Sequence, residues 1–172
     1  RKQLGFRTIF NMLGPLTNPA RAAFQIVGAS RTAAAEKLAK ALHQLQANRA
    51  LVVCGNDELD EVSLWGETTV FEVSANGVQK HIWTVATMGL PTCRVEDLKV
   101  TNAAESAAVI RRVLSGEHGP ARDIVVANAG AGLLAATRAS TIEEGVVLAS
   151  AAIDQGRAAQ LCDRLIEFTR PK

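Results

Sequence analysis

This sequence of 172 residues has few aromatic residues and no large excess of either charge. Only 4% of the residues are aromatic and none is tyrosine, so the chain has few side chains on which single-stranded nucleic acid could stack. The formal net charge is only +2, and lysine and arginine are spread along the chain rather than clustered. These absences argue against nucleic acid as a partner.

Cysteine is sparse as well, and its spacing indicates neither a disulfide framework nor a metal site. Cys54, Cys93 and Cys162 are odd in number, far apart and without a CxxC motif. We expect free thiols, buried or half-buried, in a reducing cytoplasm. No apolar run is long enough to cross a membrane, and none opens the chain as a signal peptide would, so we predict a cytoplasmic protein with no membrane partner.

The pattern that is present begins with a strand, a helix and a second strand. Phe24 to Ala29 and Ala50 to Cys54 are short apolar runs typical of buried strands. Between them, apolar residues recur at helical spacing, and Ser30 can cap this helix. Strand, crossover helix and strand together predict a βαβ unit with parallel strands.

A hairpin is predicted to follow the βαβ unit. Short β-like pieces cover Glu61–Leu64, Thr68–Val73 and Val78–Val85. Asn76-Gly77 stands between the last two, and this dipeptide is the strongest short hairpin signal. We therefore expect these pieces to pair antiparallel.

The last third of the sequence predicts helices. Asn102 with Glu105, and Ser140 with Glu143, have the spacing of capping boxes at helix starts. Between them, Gly119-Pro120 precedes a largely apolar helical stretch that we expect to be buried. The pattern as a whole predicts a single α/β domain over residues 1–172.

An acidic loop follows the second predicted strand. It carries four carboxylates, those of Asp57, Glu58, Asp60 and Glu61. In open α/β sheets, ligands bind outside the carboxyl ends of the parallel strands, where this loop should lie. Adjacent carboxylates repel one another, and Mg²⁺ commonly compensates by bridging one or two carboxylates to substrate phosphates. A solvated acidic turn is the alternative.

Residues 1–20 contain many residues with special backbone properties. The segment reads RKQLGFRTIFNMLGPLTNPA. Gly14 permits close approach of a ligand, while Pro15 and Pro19 fix φ near −65° and donate no backbone hydrogen bond. A rigid connection between a helix and a strand would use the same residues, so the segment alone does not decide between the two.

Taken together, residues 1–20 and the GNDELDEVSL segment at 55–64 closely resemble the anthranilate phosphoribosyltransferases. The similarity continues through EEGVVLA at 143–149 and AAIDQG at 151–156, and therefore covers nearly the whole chain. The resemblance is to the C-terminal half of such an enzyme. It implies part of the large α/β domain of the nucleoside phosphorylase and class-III phosphoribosyltransferase type.

The family transfers phosphoribosyl from phosphoribosyl pyrophosphate (PRPP) to the amine of anthranilate in tryptophan biosynthesis, with Mg²⁺, and its members form homodimers. The resemblance implies that Arg1 contacts anthranilate, that Gly14 and Pro15 line the anthranilate path, and that Asp60 and Glu61 bind Mg²⁺ on the pyrophosphate. Asp57 and Glu58 match no family ligand and would then be solvated. No catalytic nucleophile is implied, because the amine of anthranilate is itself the nucleophile.

One family motif is absent from the sequence. The glycine-rich Gly-Thr-Gly-Gly-Asp loop that holds the PRPP phosphates does not occur in the 172 residues. The N-terminal helices that supply other substrate contacts and the dimer interface are missing too. We expect little or no turnover from this chain alone, and self-association through a bared sheet edge.

Two other functions fit the same fold. A pyrimidine nucleoside phosphorylase would be similar in fold, although the pairing of LGPLTNPA with LDE argues against it. A non-catalytic nucleic-acid-binding member would need a broad basic stripe, which a net charge of +2 does not provide.

Overall fold

The computed structural model describes residues 14–20 and 22–170. Within them, four strands form a sheet in the order β1-β2-β3-β4. The strands are β1 (Phe24–Gly28), β2 (Arg49–Gly55), β3 (Thr68–Ser74) and β4 (Gly77–Trp83). β1 and β2 are parallel, whereas β2 with β3 and β3 with β4 are antiparallel. The predicted parallel pair and the predicted hairpin are both confirmed.

Helices cover most of the remaining described chain. They are α1 (Thr32–Gln44), α2 (Val85–Met88), α3 (Ala103–Leu114), α4 (Pro120–Ala135), α5 (Ile142–Asp154) and α6 (Arg157–Thr169), with a 3₁₀ turn at Val95–Leu98. Among the described residues, no helix is both long enough and apolar enough to cross a membrane.

The side chains of β2 alternate between two apolar cores, one on each face of the sheet. Leu51 and Val53 belong to a core formed with residues of α4 and α5. Val52 and Cys54 point the other way, into a core that includes the buried face of α1. Because β2 is buried on both faces, it appears in the sequence as a continuous apolar run.

Helices α4 and α5 pack closely because glycines meet where they cross. A Cβ atom added to Gly145 would lie 2.5 Å from the carbonyl oxygen of Gly130. Several apolar residues of α4 are fully buried, among them Val126 and Ala127, as its sequence predicts. All three cysteines are free, with Cys54 buried and Cys93 and Cys162 half-buried, as predicted.

The sequence misplaced two helix starts by one residue. Asn102 caps α3 as predicted and accepts a hydrogen bond from the Glu105 N–H at 2.9 Å. The cap of α5, however, is Thr141 rather than Ser140, and it accepts from the Glu144 N–H at 3.1 Å. Likewise α1 is preceded by Arg31 rather than Ser30 in the cap position, and the Arg31 side chain makes no capping bond.

The strand-like piece predicted at Glu61–Leu64 is wrong, because this stretch is irregular. Its backbone groups bond to side chains instead of to a neighbouring strand. The Val62 N–H donates to Asn128 and the Ser63 N–H donates to Thr68 Oγ1, at 2.9 Å each. The β-like sequence of this stretch therefore belongs to a loop that is held against the core.

Candidate functional site

Asp60 and Glu61 lie in the loop between β2 and β3, beyond the carboxyl end of β2. Both residues are exposed to solvent. β1 is parallel to β2 and ends at Gly28, which pairs with Val53 near the end of β2. The acidic pair thus lies at the edge where the two parallel strands end, which is where ligands of such sheets bind.

Two glycines allow the backbone of the acidic pair to rest directly on the strand ends. A Cβ atom added to Gly28 would lie 1.8 Å from the carbonyl oxygen of Asp60, and one added to Gly55 would lie 2.7 Å from that of Glu61. Any side chain at Gly28 would therefore displace Asp60. Gly28 was not predicted as a site residue, and its only sequence signal is that a glycine ends the apolar run FQIVG.

The residue after the acidic pair is held by helix α4. The Val62 N–H donates to Asn128 Oδ1 at 2.9 Å, and Asn128 Nδ2 donates to the Val62 carbonyl at 3.3 Å. Asn128 Nδ2 also donates to the carbonyl of Ile124, in its own helix, at 3.0 Å. Asn128 was missed as well, because the contact spans 66 residues and has no local signal.

The four carboxylates of the loop fall into two pairs with different surroundings. Asp57 Oδ1 accepts from the Thr32 N–H at 2.7 Å and so serves the start of α1. Glu58 Oε1 accepts from Trp65 Nε1 at 3.1 Å and from Asn56 Nδ2 at 3.0 Å. Asp57 and Glu58 are therefore not merely solvated, as the sequence suggested; they organise the loop.

Hydrogen bonding also sets the protonation of this first pair. The Thr32 backbone N–H lowers the pKa of Asp57, and the Trp65 indole N–H lowers the pKa of Glu58. These hydrogen bonds favour the ionised form of both carboxylates. Arg31 lies close by and donates a hydrogen bond to the backbone carbonyl of Asp57, which ties the loop to the start of α1 a second time.

Asp60 and Glu61 differ from this first pair because no described side chain forms a hydrogen bond or ion pair with either carboxylate. The described residues include no group of three or more His, Cys, Asp or Glu side chains that could hold a metal by themselves. Two exposed adjacent carboxylates still suit Mg²⁺, which keeps several waters and takes phosphate oxygens as further ligands. The donor set fits Mg²⁺ delivered with a phosphate-bearing substrate.

Gly14 and Pro15, which the family resemblance places on the anthranilate path, are the first two described residues. Both are helical together with Leu16, and the Thr17 N–H donates to the Gly14 carbonyl at 3.4 Å. Arg1, the other residue predicted on the anthranilate side, lies outside the described residues.

Pro15 lines an open groove along β1. The groove, of about 420 Å³, runs along β1 past Phe24 to Gly28. Gly28 in turn contacts the backbone of Asp60. The groove therefore extends along β1 to Gly28, the glycine against which the Asp60 backbone rests.

Residues 1–159 match the profile of the α/β domain of the glycosyl transferase family, and the chain belongs to that family. Its relatives include anthranilate phosphoribosyltransferases. It is 45% identical over 169 residues to that of Geotalea uraniireducens and 46% identical over 169 residues to that of Trichlorobacter lovleyi. Each alignment covers 98% of this chain but 48% of the relative, so the chain spans about half the length of these curated relatives.

Solved structures give the same result. The anthranilate phosphoribosyltransferase of Thermus thermophilus superposes with a TM-score of 0.89 at 41% identity, over 99% of this chain and 50% of that one. The Saccharomyces cerevisiae enzyme in complex with PRPP and Mg gives a TM-score of 0.83 at 27% identity, over 93% of this chain and 46% of that one. The fold class and the family resemblance seen in the sequence are confirmed.

Proposed function

We propose that this chain provides the metal and pyrophosphate side of a site that transfers phosphoribosyl from PRPP to anthranilate. The observation that carries the proposal is the pair Asp60 and Glu61, whose carboxylates have no partner among the described side chains and which is held at the carboxyl ends of two parallel strands. The yeast relative was solved with PRPP and Mg, and in another structure with 4-fluoroanthranilate. These complexes of the yeast relative support Mg²⁺, PRPP and anthranilate as the ligands of the proposed site.

In the proposed reaction, the amine nitrogen of anthranilate forms a bond to C1 of the ribose while the bond from C1 to pyrophosphate breaks. The amine then releases a proton. Mg²⁺, when bound, neutralises the negative charge that develops on the departing pyrophosphate. Asp60 and Glu61 hold the metal on the pyrophosphate side, and the remaining catalysis is positioning of the two substrates.

The acceptor side of the proposed site involves Arg1, Gly14 and Pro15. A guanidinium group can pair with both oxygens of a carboxylate, which suits the carboxylate of anthranilate. Pro15 lines the groove that reaches Gly28 and thus leads toward the acidic pair. The single domain, the cytoplasmic location and the homodimer remain predictions for the protein.

Since the sequence has no Gly-Thr-Gly-Gly-Asp motif, we expect little turnover from these 172 residues alone. A chimera tests the function directly: this chain replaces the matching 48% of the G. uraniireducens enzyme. Consumption of fluorescent anthranilate is followed with PRPP and Mg²⁺. In a parallel assay, a pyrimidine nucleoside and inorganic phosphate replace these substrates.

We expect the chimera to consume anthranilate only when PRPP and Mg²⁺ are both present. Phosphorolysis of the nucleoside without anthranilate turnover would instead support the phosphorylase reading. Turnover of anthranilate by the isolated 172-residue chain would contradict the prediction that these residues form an incomplete site. The intact G. uraniireducens enzyme serves as the positive control in each assay.

A further inference from the structure

Asp60 and Glu61 lie between two backbone anchors that belong to different elements. Upstream, Leu59 and Gly55 exchange two backbone hydrogen bonds of 2.8 Å, which join the loop to the end of β2. Downstream, Val62 is held at both its N–H and its carbonyl by the Asn128 amide of α4. Only the two acidic residues separate these anchors, so their backbone has little freedom.

The downstream anchor is unusual because a side chain supplies it. Val62 is fully buried, and a buried N–H or carbonyl without a partner costs free energy. Asn128 satisfies both groups of Val62 and is itself fixed by its bond to the Ile124 carbonyl. The helix therefore fixes the orientation of the Asn128 amide, and the amide in turn fixes the position of Val62 in the loop.

We propose that Asn128 is a positioning residue for the carboxylates of Asp60 and Glu61. It acts through Val62, the next residue after Glu61, and sets the direction in which the Glu61 side chain leaves the loop. Partners in the outer shell of a metal site characteristically fix the ligands that touch the metal. The inference rests on the proposed function, because it takes Asp60 and Glu61 as the metal ligands.

A purely structural role for Asn128 makes a different prediction. If Asn128 served only to join α4 to the loop, removing its amide would lower the stability of the chain. Its effect on metal binding would then be no larger than that of any other core substitution. Val126→Ala supplies the matched control, because Val126 lies in the same helix, is buried in the core and has no hydrogen bond to the loop.

The experiment uses the whole 172-residue chain, labelled with ¹⁵N, and Mn²⁺ as the probe. Paramagnetic broadening of backbone amide signals locates even weakly bound Mn²⁺. Four proteins are compared: the parent chain, Asn128→Ala, Val126→Ala and the double variant Asp60→Asn/Glu61→Gln. Amide hydrogen exchange of Val62 is measured on each in the absence of metal.

In the parent chain and in Val126→Ala, we expect low concentrations of Mn²⁺ to broaden the amides of residues 60–62 selectively. In Asn128→Ala, half-broadening should require about tenfold more Mn²⁺, the lower end of the effect of losing an outer-shell partner. The Val62 amide should exchange faster in Asn128→Ala than in Val126→Ala. If Asn128→Ala does not fold, Asn128→Gln keeps both amide groups one methylene further out and should weaken Mn²⁺ binding in the same direction.

Each contrary outcome identifies which claim fails. Equal Mn²⁺ titrations for Asn128→Ala and Val126→Ala, or unchanged exchange of Val62, would overturn the positioning role of Asn128 and leave the metal site intact. Selective broadening that survives in Asp60→Asn/Glu61→Gln, or that is missing from the parent chain, would overturn the metal site on which the proposed function rests.

Discussion

Gly28 is the residue at which the sheet and the acidic pair come closest. The carbonyl carbon of Asp60 would lie 2.6 Å from a Cβ atom at this position and its carbonyl oxygen nearer still. Real Cβ atoms do not approach other atoms this closely, so a larger residue must push the loop away from the strand. The atom in the way belongs to the backbone and cannot rotate aside as a side chain could.

Gly28→Ala should accordingly destabilise the chain by about 1–3 kcal/mol, the usual range for overpacking. Gly132→Ala is the matched control, since Gly132 lies inside α4 with no atom within 4 Å of its added Cβ. That change should stabilise the chain by about 0.5–1 kcal/mol through helix propensity. Urea unfolding of both variants measures the difference, and equal effects of the two changes would contradict the close approach.

The sequence predicted some site residues and missed others for a physical reason. The acidic loop follows β2, so its place at the strand end could be deduced from local pattern, but only the family resemblance singled out Asp60 and Glu61 within it. Gly28 and Asn128 matter through contacts with residues far along the chain, and nothing in their own surroundings in the sequence indicates such contacts. The roles of Asp57 and Glu58 were missed for the same reason, because Thr32 and Trp65 reach them only in the fold.

Between elements, an ion pair of a buried arginine and an exposed aspartate joins the start of α4 to the end of α5. Arg122 is only 4% exposed, and its Nη1 lies 2.7 Å from Asp154 Oδ1, whereas the Asp154 side chain is 53% exposed. The hydrogen bond from Arg122 lowers the pKa of Asp154. A buried guanidinium without its partner would be costly, so Asp154 is the member of the pair that should be changed.

Asp154→Asn should lower the free energy of unfolding at neutral pH, because it leaves the charge of Arg122 uncompensated. The pKa of Asp154 in the folded chain lies below its ordinary value of 3.8. The stability from the pair is therefore complete above that value and is lost as the pH falls through the folded-state pKa. Urea unfolding across this range should show the two proteins converging at low pH.

Asp163→Asn is the control for this change, since Asp163 is an exposed residue of α6. It should leave stability nearly unchanged at every pH, as most surface substitutions do. A difference between parent and Asp154→Asn that stayed constant down to the lowest pH would contradict the ion pair as its cause.

Element types were predicted more reliably than element limits. The periodicity of apolar residues identified the strands and helices because each buries one or both faces against a core. The predicted starts of α1 and α5 were misplaced for different reasons. At α5, the adjacent residues Ser140 and Thr141 compete for one cap. At α1 the N–H of Thr32 is satisfied from outside the helix, by Asp57, and no local rule predicts that.

At the scale of the whole molecule, β1 is an edge of the four-stranded sheet within the described residues. Phe24 is 45% exposed and Ile26 is 40% exposed on this strand. An edge strand with exposed apolar residues offers unpaired backbone groups to another chain. This arrangement agrees with the self-association expected from the sequence.

Sedimentation velocity should show concentration-dependent association of the 172-residue chain. Ile26→Lys should suppress it, because a charge on an edge strand opposes pairing with a second chain. Phe168→Lys is the control, since Phe168 lies in α6 and is 87% exposed. Association that is lost in Phe168→Lys but kept in Ile26→Lys would assign the contact to α6 instead.

The proposed binding of Mg²⁺ by Asp60 and Glu61 on the pyrophosphate is tested by the Mg²⁺ dependence of phosphoribosyl transfer. The chimera described above is assayed over a range of free Mg²⁺, with Asp60→Asn/Glu61→Gln as the variant and Asp163→Asn as the control. The double variant should need more than about 100-fold more Mg²⁺ for half-maximal rate, because it loses the ligands themselves, whereas loss of an outer-shell partner alone costs about 10- to 100-fold. The control should behave as the parent does. An unchanged Mg²⁺ dependence in the double variant would contradict the account.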